Sequence, residues 1–441
     1  MLFGADFQSK VKVQEEMAKV GKSLLQPKTP YSKTVRKSFP SKNKFVKNVR
    51  KESLNYESPL RWTEITDDPT VLQAIRGFKI PFHQNPIQVS IPRGKFFNKQ
   101  ETLQMNLAVD SLLSKGAITL CTHSPGEFIS SVFLVPKSSG GYRFIINLSF
   151  LNRFITCDHF KMEDFRSARS LMTKGCFMGS LDLQDAYFLI PVHHDFRKIL
   201  RSEWNAVLYE FTCLCFGLNI APRIFTKIMR AAITVLRGYG YENSIDLDDS
   251  FIIGRCYHQC NENIVFTQNF FESLGLTINY SKSITTPTQS ITYLGFLFDS
   301  LTISLSIPVK KQEKVTQIVL AVLRSDTITI RKLAMVIGTL VSCCPAVPYG
   351  MLYTKRLEYQ KNVALSSSGD CFDALVTLSE EFRRDLHCFR HDATSEDARG
   401  GMNIEQIRLR AGWSASSSVF ARFYNRPLSN SSEFAQTVFQ V

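Results

Sequence analysis

Residues 243–254, NSIDLDDSFIIG, decide the architecture of this chain. A short stretch of mixed polarity runs into Leu247-Asp248-Asp249, and an apolar run, Phe251-Ile252-Ile253, follows at once. Asp favours turns, so the segment reads as a strand, an acidic turn and a second strand. Neighbouring carboxylates resist joint ionisation, and a divalent cation removes that penalty. Taken alone, a plain β-turn explains Asp248 and Asp249 more simply than a metal site does.

The flanking sequence extends the pattern. Residues 179–192, GSLDLQDAYFLIPV, alternate apolar and polar side chains around Asp182, which predicts a strand with one buried face. ISSVFLVPK, Gly140-Gly141 and YRFIINLS (129–149) read as strand, turn and strand. Residues 221–240 have helical spacing, with Pro222 in the first turn and Gly238 near the end. Residues 104–115 form a second helical pattern ending at Gly116. Beyond Pro308, residues 310–324 and 330–341 are helical, and Ser366 to Gly369 reads as a short linker. Strands paired through hairpins and interleaved with helices imply an α+β sheet domain.

Composition narrows the function. The chain has 441 residues, 53 Lys+Arg against 39 Asp+Glu, a net charge of +14, 44% hydrophobic and 21% charged residues. Such a sequence excludes wholesale disorder and allows roughly two to four domains. Its positive balance predicts a polyanionic partner, nucleic acid or an anionic membrane surface. Lys33, Arg36, Lys37, Lys42, Lys44, Lys47, Arg50 and Lys51 make the N-terminus a flexible basic arm. The longest uncharged run, Leu333 to Tyr353, is broken by Pro345, Pro348 and Gly350, so it reads as a buried helix ending in a loop rather than a membrane span. The N-terminus lacks an apolar signal segment, and eleven scattered cysteines fit reduced thiols. Both point to an intracellular, non-secreted protein of the cytoplasm or nucleus. Cys256-x-x-x-Cys260, around His258, lacks the second ligand pair of a zinc site.

Motif order adds a resemblance. LDLQDAYF (181–188), YEFTCLCFGLNIAPRIF (209–225), DLDDSFIIG (246–254), GLTINYSKS (275–283) and YLGFLFDS (293–300) together resemble the ordered motifs of reverse transcriptases. VPKSSGGYRFIINLSFLNRFI (135–155) is similar to that family's fingers hairpin. CCPAVPYGMLYTKRLEYQK (343–361) looks like the connection region of retrotransposon polymerases, particularly the DIRS-like, tyrosine-recombinase-bearing group. The resemblance spans about residues 60–390. It implies a right-hand polymerase: a basic arm over 1–58, fingers and an antiparallel palm over 59–300, a helical thumb and connection over 301–390, and a recombinase remnant over 391–441.

By that resemblance, Asp182 and Asp248 bind two Mg²⁺ ions, for which Mn²⁺ can substitute, with Asp249 as the third acid. Lys137 and Arg143 grip an incoming dNTP, whose triphosphate also faces the backbone N–H groups of Asp185 and Ala186. The planar fork of an arginine matches phosphate oxygens. Tyr187 excludes a ribose 2′-hydroxyl by volume. Phe216 and Gly217 position nucleotide and template, and Gly217 lets a backbone approach closely. Lys282 protonates the leaving pyrophosphate as a general acid. Leu294 and Gly295 form the primer grip. The implied partners are an RNA template, a DNA primer or product, and dNTPs. No membrane is implied and no protein partner is named. Two residues keep a second explanation, Tyr187 as a core aromatic and Lys282 as a solvated charge.

The chain departs from the family at Asp246, which stands where an aromatic residue is usual, two positions before Asp248. A further carboxylate adds repulsion and removes packing under the primer, so a catalytically impaired, nucleic-acid-binding remnant of a retrotransposon polyprotein is the alternative. At the C-terminus, residues 401–427 resemble the end of a tyrosine recombinase, with Tyr424 in the nucleophile's place and Trp413 in the His/Trp position. His387-x-x-Arg390 has that family's spacing but fits better as the end of a polymerase helix. No acidic ribonuclease H constellation lies between polymerase and tail, so the chain reads as internally deleted or misjoined.

Overall fold

The computed structural model describes residues 58–394, apart from 93, 95, 137–139 and 348–349. Nearly all of the basic arm, Lys137, Trp413 and Tyr424 lie outside the described residues.

In chain order the elements begin with α1 (Ser58–Ile65), α2 (Pro69–Gly77) and α3 (Lys99–Ser114), then β1 (Ile118–Leu120), β2 (Val132–Pro136), β3 (Tyr142–Ile146) and α4 (Phe165–Leu171). There follow β4 (Phe177–Asp182), β5 (Arg201–Trp204), β6 (Val207–Phe211), α5 (Ala221–Gly238), β7 (Asn243–Asp246), β8 (Asp249–Gly254) and α6 (Tyr257–Ser273). Next come β9 (Ile284–Thr288), β10 (Ser290–Tyr293), β11 (Phe296–Asp299) and β12 (Ser304–Ser306). The last part holds α7 (Val309–Leu323), β13 (Thr327–Thr329), α8 (Ile330–Val341), α9 (Gly350–Ser367), β14 (Leu375–Thr377) and α10 (Glu380–Thr394).

The central sheet has the order β7-β8-β4-β9 and is antiparallel throughout. Its two faces are packed differently. Met178, Phe251 and Ile253 join Ile291, Tyr293, Phe296 and Phe298 of the β10–β11 hairpin in one apolar cluster. Phe251 and Phe298 are completely buried there, and burying one such ring contributes roughly 1.5–3 kcal/mol. Helix α5 buries Ile224, Phe225, Ile228, Met229, Ala232, Ile233 and Leu236, a spacing of three and four that keeps one face inward. Pro222 sits in the first turn of this helix, where its missing N–H costs nothing. A second core, with Val315, Val319, Leu333, Val336, Leu340, Leu357, Phe382 and Phe389, unites α7 to α10.

Several expectations need correction. The strand expected over 179–192 stops at Asp182, because the Leu183 and Gln184 N–H groups leave the sheet for the carbonyls of Asp248 (2.9 Å) and Thr277 (2.8 Å). Asp185 then takes a φ of 51°, and residues 186–189 coil into a 3₁₀ turn. The helix expected over 104–115 starts earlier, at Lys99, where Asn98 and Glu101 exchange the two hydrogen bonds of a capping box. Ser366 and Ser367, read as linker, are the last residues of α9, and Ser367 Oγ donates to the Val363 carbonyl (2.9 Å). Among the described residues no helix is long and apolar enough to cross a membrane. Helix α8 is amphipathic, burying Leu333 and Leu340 while Met335 is exposed.

Candidate active site

Strand register brings the acids together. Asp182, the last residue of β4, lies directly across from Asp249, the first of β8, and Asp249 also faces Asp246 across the β7–β8 hairpin. Directly paired residues of an antiparallel sheet share a face. Asp246, Asp249 and Asp182 therefore form a row across three strands, on the side that packs the β10–β11 hairpin. Between β7 and β8 only Leu247 and Asp248 make the turn, and Leu247 takes a φ of 53°, where glycine is the usual residue. That tight turn holds Asp248 against the end of β4, where its carbonyl accepts from Leu183.

The carboxylates disturb one another. Burial, then Asp248, Asp182 and Asp246, push the Asp249 carboxyl up to about 6, against the pull of Lys282. Burial and Asp182 also raise Asp248, while a backbone hydrogen bond, Lys282 and Arg143 oppose the rise. Asp246 is raised by burial, Asp248 and Asp164, and its buried Oδ1 has no hydrogen-bond partner. Hard oxygen donors crowded in this way suit Mg²⁺ or Mn²⁺. The oxygens of Asp182, Asp248 and Asp249 do not, however, all fall within 4.8 Å of one another. Among the described residues the trio of ligating side chains that does is His193, His194 and Asp195. That trio is held by imidazole–carboxylate contacts of 3.4 and 2.9 Å.

Cations and aromatic rings flank the acids. Lys282 Nζ lies 3.6 Å from Asp182 Oδ2. The turn that carries it is fixed by Ser283, whose Oγ accepts from the Asp182 N–H (3.0 Å), and by Asn279, whose N–H donates to the Asp182 carbonyl (2.8 Å). Arg143, on β3, sits over the Phe216 ring at 4.7 Å. Phe216 packs on Tyr187 with ring centroids 5.2 Å apart, and Tyr187 meets Phe225 at 5.7 Å. Tyr187 is thus both a packed aromatic and a neighbour of the acids. Burial, Asp248 and Asp246 push its phenol up to about 12, so it stays neutral. Gly217 has a φ of 107°, and a Cβ there would lie 2.5 Å from the Ile146 carbonyl oxygen. Leu294 and Gly295 join β10 to β11 with φ of 47° and 75°, a two-residue turn of the kind that suits hairpin twist.

Sequence reasoning missed three braces. Tyr293 donates its hydroxyl to the Asp249 carbonyl (3.0 Å). Glu163 accepts from the Ile245 N–H of β7 (3.1 Å) and is gripped by Arg237 at 2.8 and 2.9 Å. Lys115 pairs with Asp185 at 2.6 Å. No local pattern announces these partners, which are 44 to 82 residues apart.

Residues 135–298 match the family model described as "Reverse transcriptase (RNA-dependent DNA polymerase)". The chain is 26% identical over 196 residues to the Retrovirus-related Pol polyprotein from transposon opus of Drosophila melanogaster, covering 43% of this chain and 19% of that protein. It is 27% identical over 140 residues to the corresponding polyprotein from transposon 412 of the same organism, covering 30% and 11%. The chain thus spans a fifth or less of these relatives. Among solved structures, it is similar to the foamy viral protease-reverse transcriptase in complex with dsDNA, with a TM-score of 0.56 and 16% identity over 82% of this chain and 72% of that one. The same viral protein in complex with an RNA/DNA hybrid gives 0.55 and 15%, over 83% and 47%. The fold is therefore that of a right-hand polymerase.

Proposed function

We propose that this chain, which carries a reverse transcriptase domain of the retrotransposon polyprotein type, is an RNA-directed DNA polymerase that extends a DNA primer on an RNA template from dNTPs. The observation that carries the proposal is the cross-strand pairing of Asp182 with Asp249 beside Asp248, with Lys282 at 3.6 Å. Asp182, Asp248 and Asp249 are the residues to hold Mg²⁺ or Mn²⁺. Bound there, the cation supplies activation of the primer 3′-hydroxyl and charge stabilisation for the departing pyrophosphate.

The chain's own residues do the rest. Arg143, kept in place over Phe216, orients the triphosphate from the fingers side, a role that the sequence resemblance also gives to Lys137. The turn at Asp185 and Ala186 offers backbone N–H groups to the phosphates. Tyr187, fixed between Phe216 and Phe225, blocks the volume of a 2′-hydroxyl. Lys282 holds a proton next to the acid cluster and delivers it to the leaving group. Leu294 and Gly295, on the hairpin packed against the acid-bearing face, hold the primer end. The domain division in this reading is the one that the sequence suggests: an arm over 1–58, fingers and palm over 59–300, thumb and connection over 301–390. The DIRS-like affinity and the recombinase remnant over 391–441, with Trp413 and Tyr424, rest on sequence motifs alone.

Primer extension on a defined RNA template with Mg²⁺ and dNTPs tests the proposal. Asp248→Asn is expected to abolish extension while keeping primer–template affinity, and a wild-type protein that extends no primer refutes it. A second reading, the impaired nucleic-acid-binding remnant, is favoured by Asp246, a carboxylate opposite Asp249 with an unpartnered oxygen. Under it, Asp246→Tyr raises extension strongly. Binding in either case falls steeply with salt.

A further inference from the structure

Lys115 stands outside every motif discussed above, yet its ammonium lies 2.6 Å from the carboxylate of Asp185, 70 residues away. The base of Lys115 is rigid. It caps α3 through its N–H to the Ser111 and Leu113 carbonyls, and the next residues are stitched to the chain after β6. Thr212 Oγ1 donates to the Gly116 carbonyl (2.5 Å), and the Thr212 N–H donates to Ala117 (3.0 Å). That chain continues directly to Phe216 and Gly217.

Asp185 sits three residues beyond Asp182 in a left-handed conformation, φ 51°, which Asp tolerates better than most residues but does not prefer. It opens the 3₁₀ turn that carries Tyr187. On one side this turn borders a partly open pocket of about 360 Å³, lined by Phe188 and Leu189 along with Trp62, Arg197 and Lys115 itself. Gln184 Nε2 also reaches the Asp185 carboxylate (3.4 Å), and the Leu214 N–H holds the Ile190 carbonyl at the far end of the turn (2.9 Å); the Lys115–Asp185 pair is the direct side-chain tie from the start of the turn to the α3–β1 corner. The two side chains are 37% and 32% exposed, so the pair adds little to global stability. Its effect is positional.

We propose that Lys115 is a positioning residue for the incoming nucleotide, holding the Asp185 turn so that its N–H groups face the triphosphate and Tyr187 faces the sugar. The proposal rests on the polymerase reading. It makes Lys115 act through Asp185 and not by touching the substrate.

The test measures the dissociation constant of a dNTP on a dideoxy-terminated primer–template, alongside KM and kcat for extension. For Lys115→Ala, the dNTP dissociation constant and KM are expected to rise about tenfold with kcat within about twofold. Discrimination against the matching rNTP falls, and the thermal midpoint stays put. Lys115→Arg restores most of the affinity because it keeps a cation facing Asp185. Asp185→Asn, which retains tolerance for the left-handed turn, reproduces the Lys115→Ala defect, and the double variant is no worse than either single one. Nucleotide affinity unchanged in Lys115→Ala overturns the proposal, as does an equal loss in Lys115→Ala and Lys115→Arg. A wild type that binds dNTP without extending the primer sinks the polymerase reading alone, because the tether is still read from binding. A wild type that binds no dNTP overturns both.

Discussion

The hydroxyl of Tyr293 donates to the backbone carbonyl of Asp249 over 3.0 Å, tying the strand that ends at Leu294-Gly295 to the strand that begins the acid row. Tyr293 is buried and packs on Phe251 and Phe298, so its ring is already fixed without the hydrogen bond. The hydroxyl therefore links two hairpins in register: movement of the β10–β11 hairpin pulls on Asp249.

Tyr293→Phe isolates that link, because the ring remains and only one donor is lost. Stability is expected to fall by about 1 kcal/mol, the net worth of a typical hydrogen bond. Extension should fall several-fold, with primer–template affinity little changed. Urea unfolding together with steady-state extension checks both. Equal losses of affinity and turnover would instead assign Tyr293 a purely structural part.

The acid row makes the metal-free protein sensitive to pH. The Asp249 carboxyl is raised from 3.8 to about 6, and those of Asp248 and Asp246 are raised as well. A raised carboxyl binds its proton more tightly in the folded state than in the unfolded one. Its favourable contribution is complete below pH 4 and is lost as pH climbs through 6. Urea midpoints without divalent ions should thus decline between pH 4 and pH 7, beyond the drift caused by other groups. Asp249→Asn should flatten that decline, and added Mg²⁺ should raise the midpoint at pH 7 more than at pH 5.

Asp246→Asn should stabilise the metal-free protein at pH 8 by about 0.5–1 kcal/mol, because like charges directly opposite in a sheet repel. The same change should lower the Asp249 pKa, since Asp246 is one of the groups raising it. Carboxylate NMR titration of wild type and variant reads the shift. No movement of Asp249 on removing the Asp246 charge would contradict the register-based row.

What the sequence disclosed, and what it concealed, follows from how local each feature is. The β7–β8 hairpin is legible because its acidic turn and both strands lie within twelve residues, and the amphipathic face of α5 because its periodicity is self-contained. The end of β4 was not legible. The alternation runs on past Asp182, but the Leu183 and Gln184 N–H groups are claimed by carbonyls more than sixty residues away. Asn98 and Glu101 carry a capping-box signal at the true start of α3, ahead of the apolar spacing, which begins later. Within the site, the acids, Lys282, Arg143 and Tyr187 came from motif order. The bracing parts of Tyr293, Glu163 and Lys115 did not, since a brace between distant segments leaves no spacing to read.

Gly217 offers the sharpest test of how the Phe216 loop is held. Its carbonyl accepts from Asn152 Nδ2 (2.8 Å), and the Asn219 N–H donates to Asn152 Oδ1 (3.1 Å), so the loop is pinned to the segment after β3. A Cβ at Gly217 meets strain from the φ of 107° and a clash 2.5 Å from the Ile146 carbonyl oxygen, which is backbone and cannot swing away. Gly240 provides the control, with a φ of 85° and nothing within 4 Å of its Cβ position. Gly240→Ala should therefore cost only the conformational penalty, about 1–2 kcal/mol. Gly217→Ala should cost at least about 2 kcal/mol more, from overpacking against a fixed neighbour. It should also displace Phe216 from beneath Arg143, raising the KM for dNTP. Urea unfolding of the two variants side by side measures the difference, and equal losses would show that Ile146 yields and that the close approach does not hold the loop.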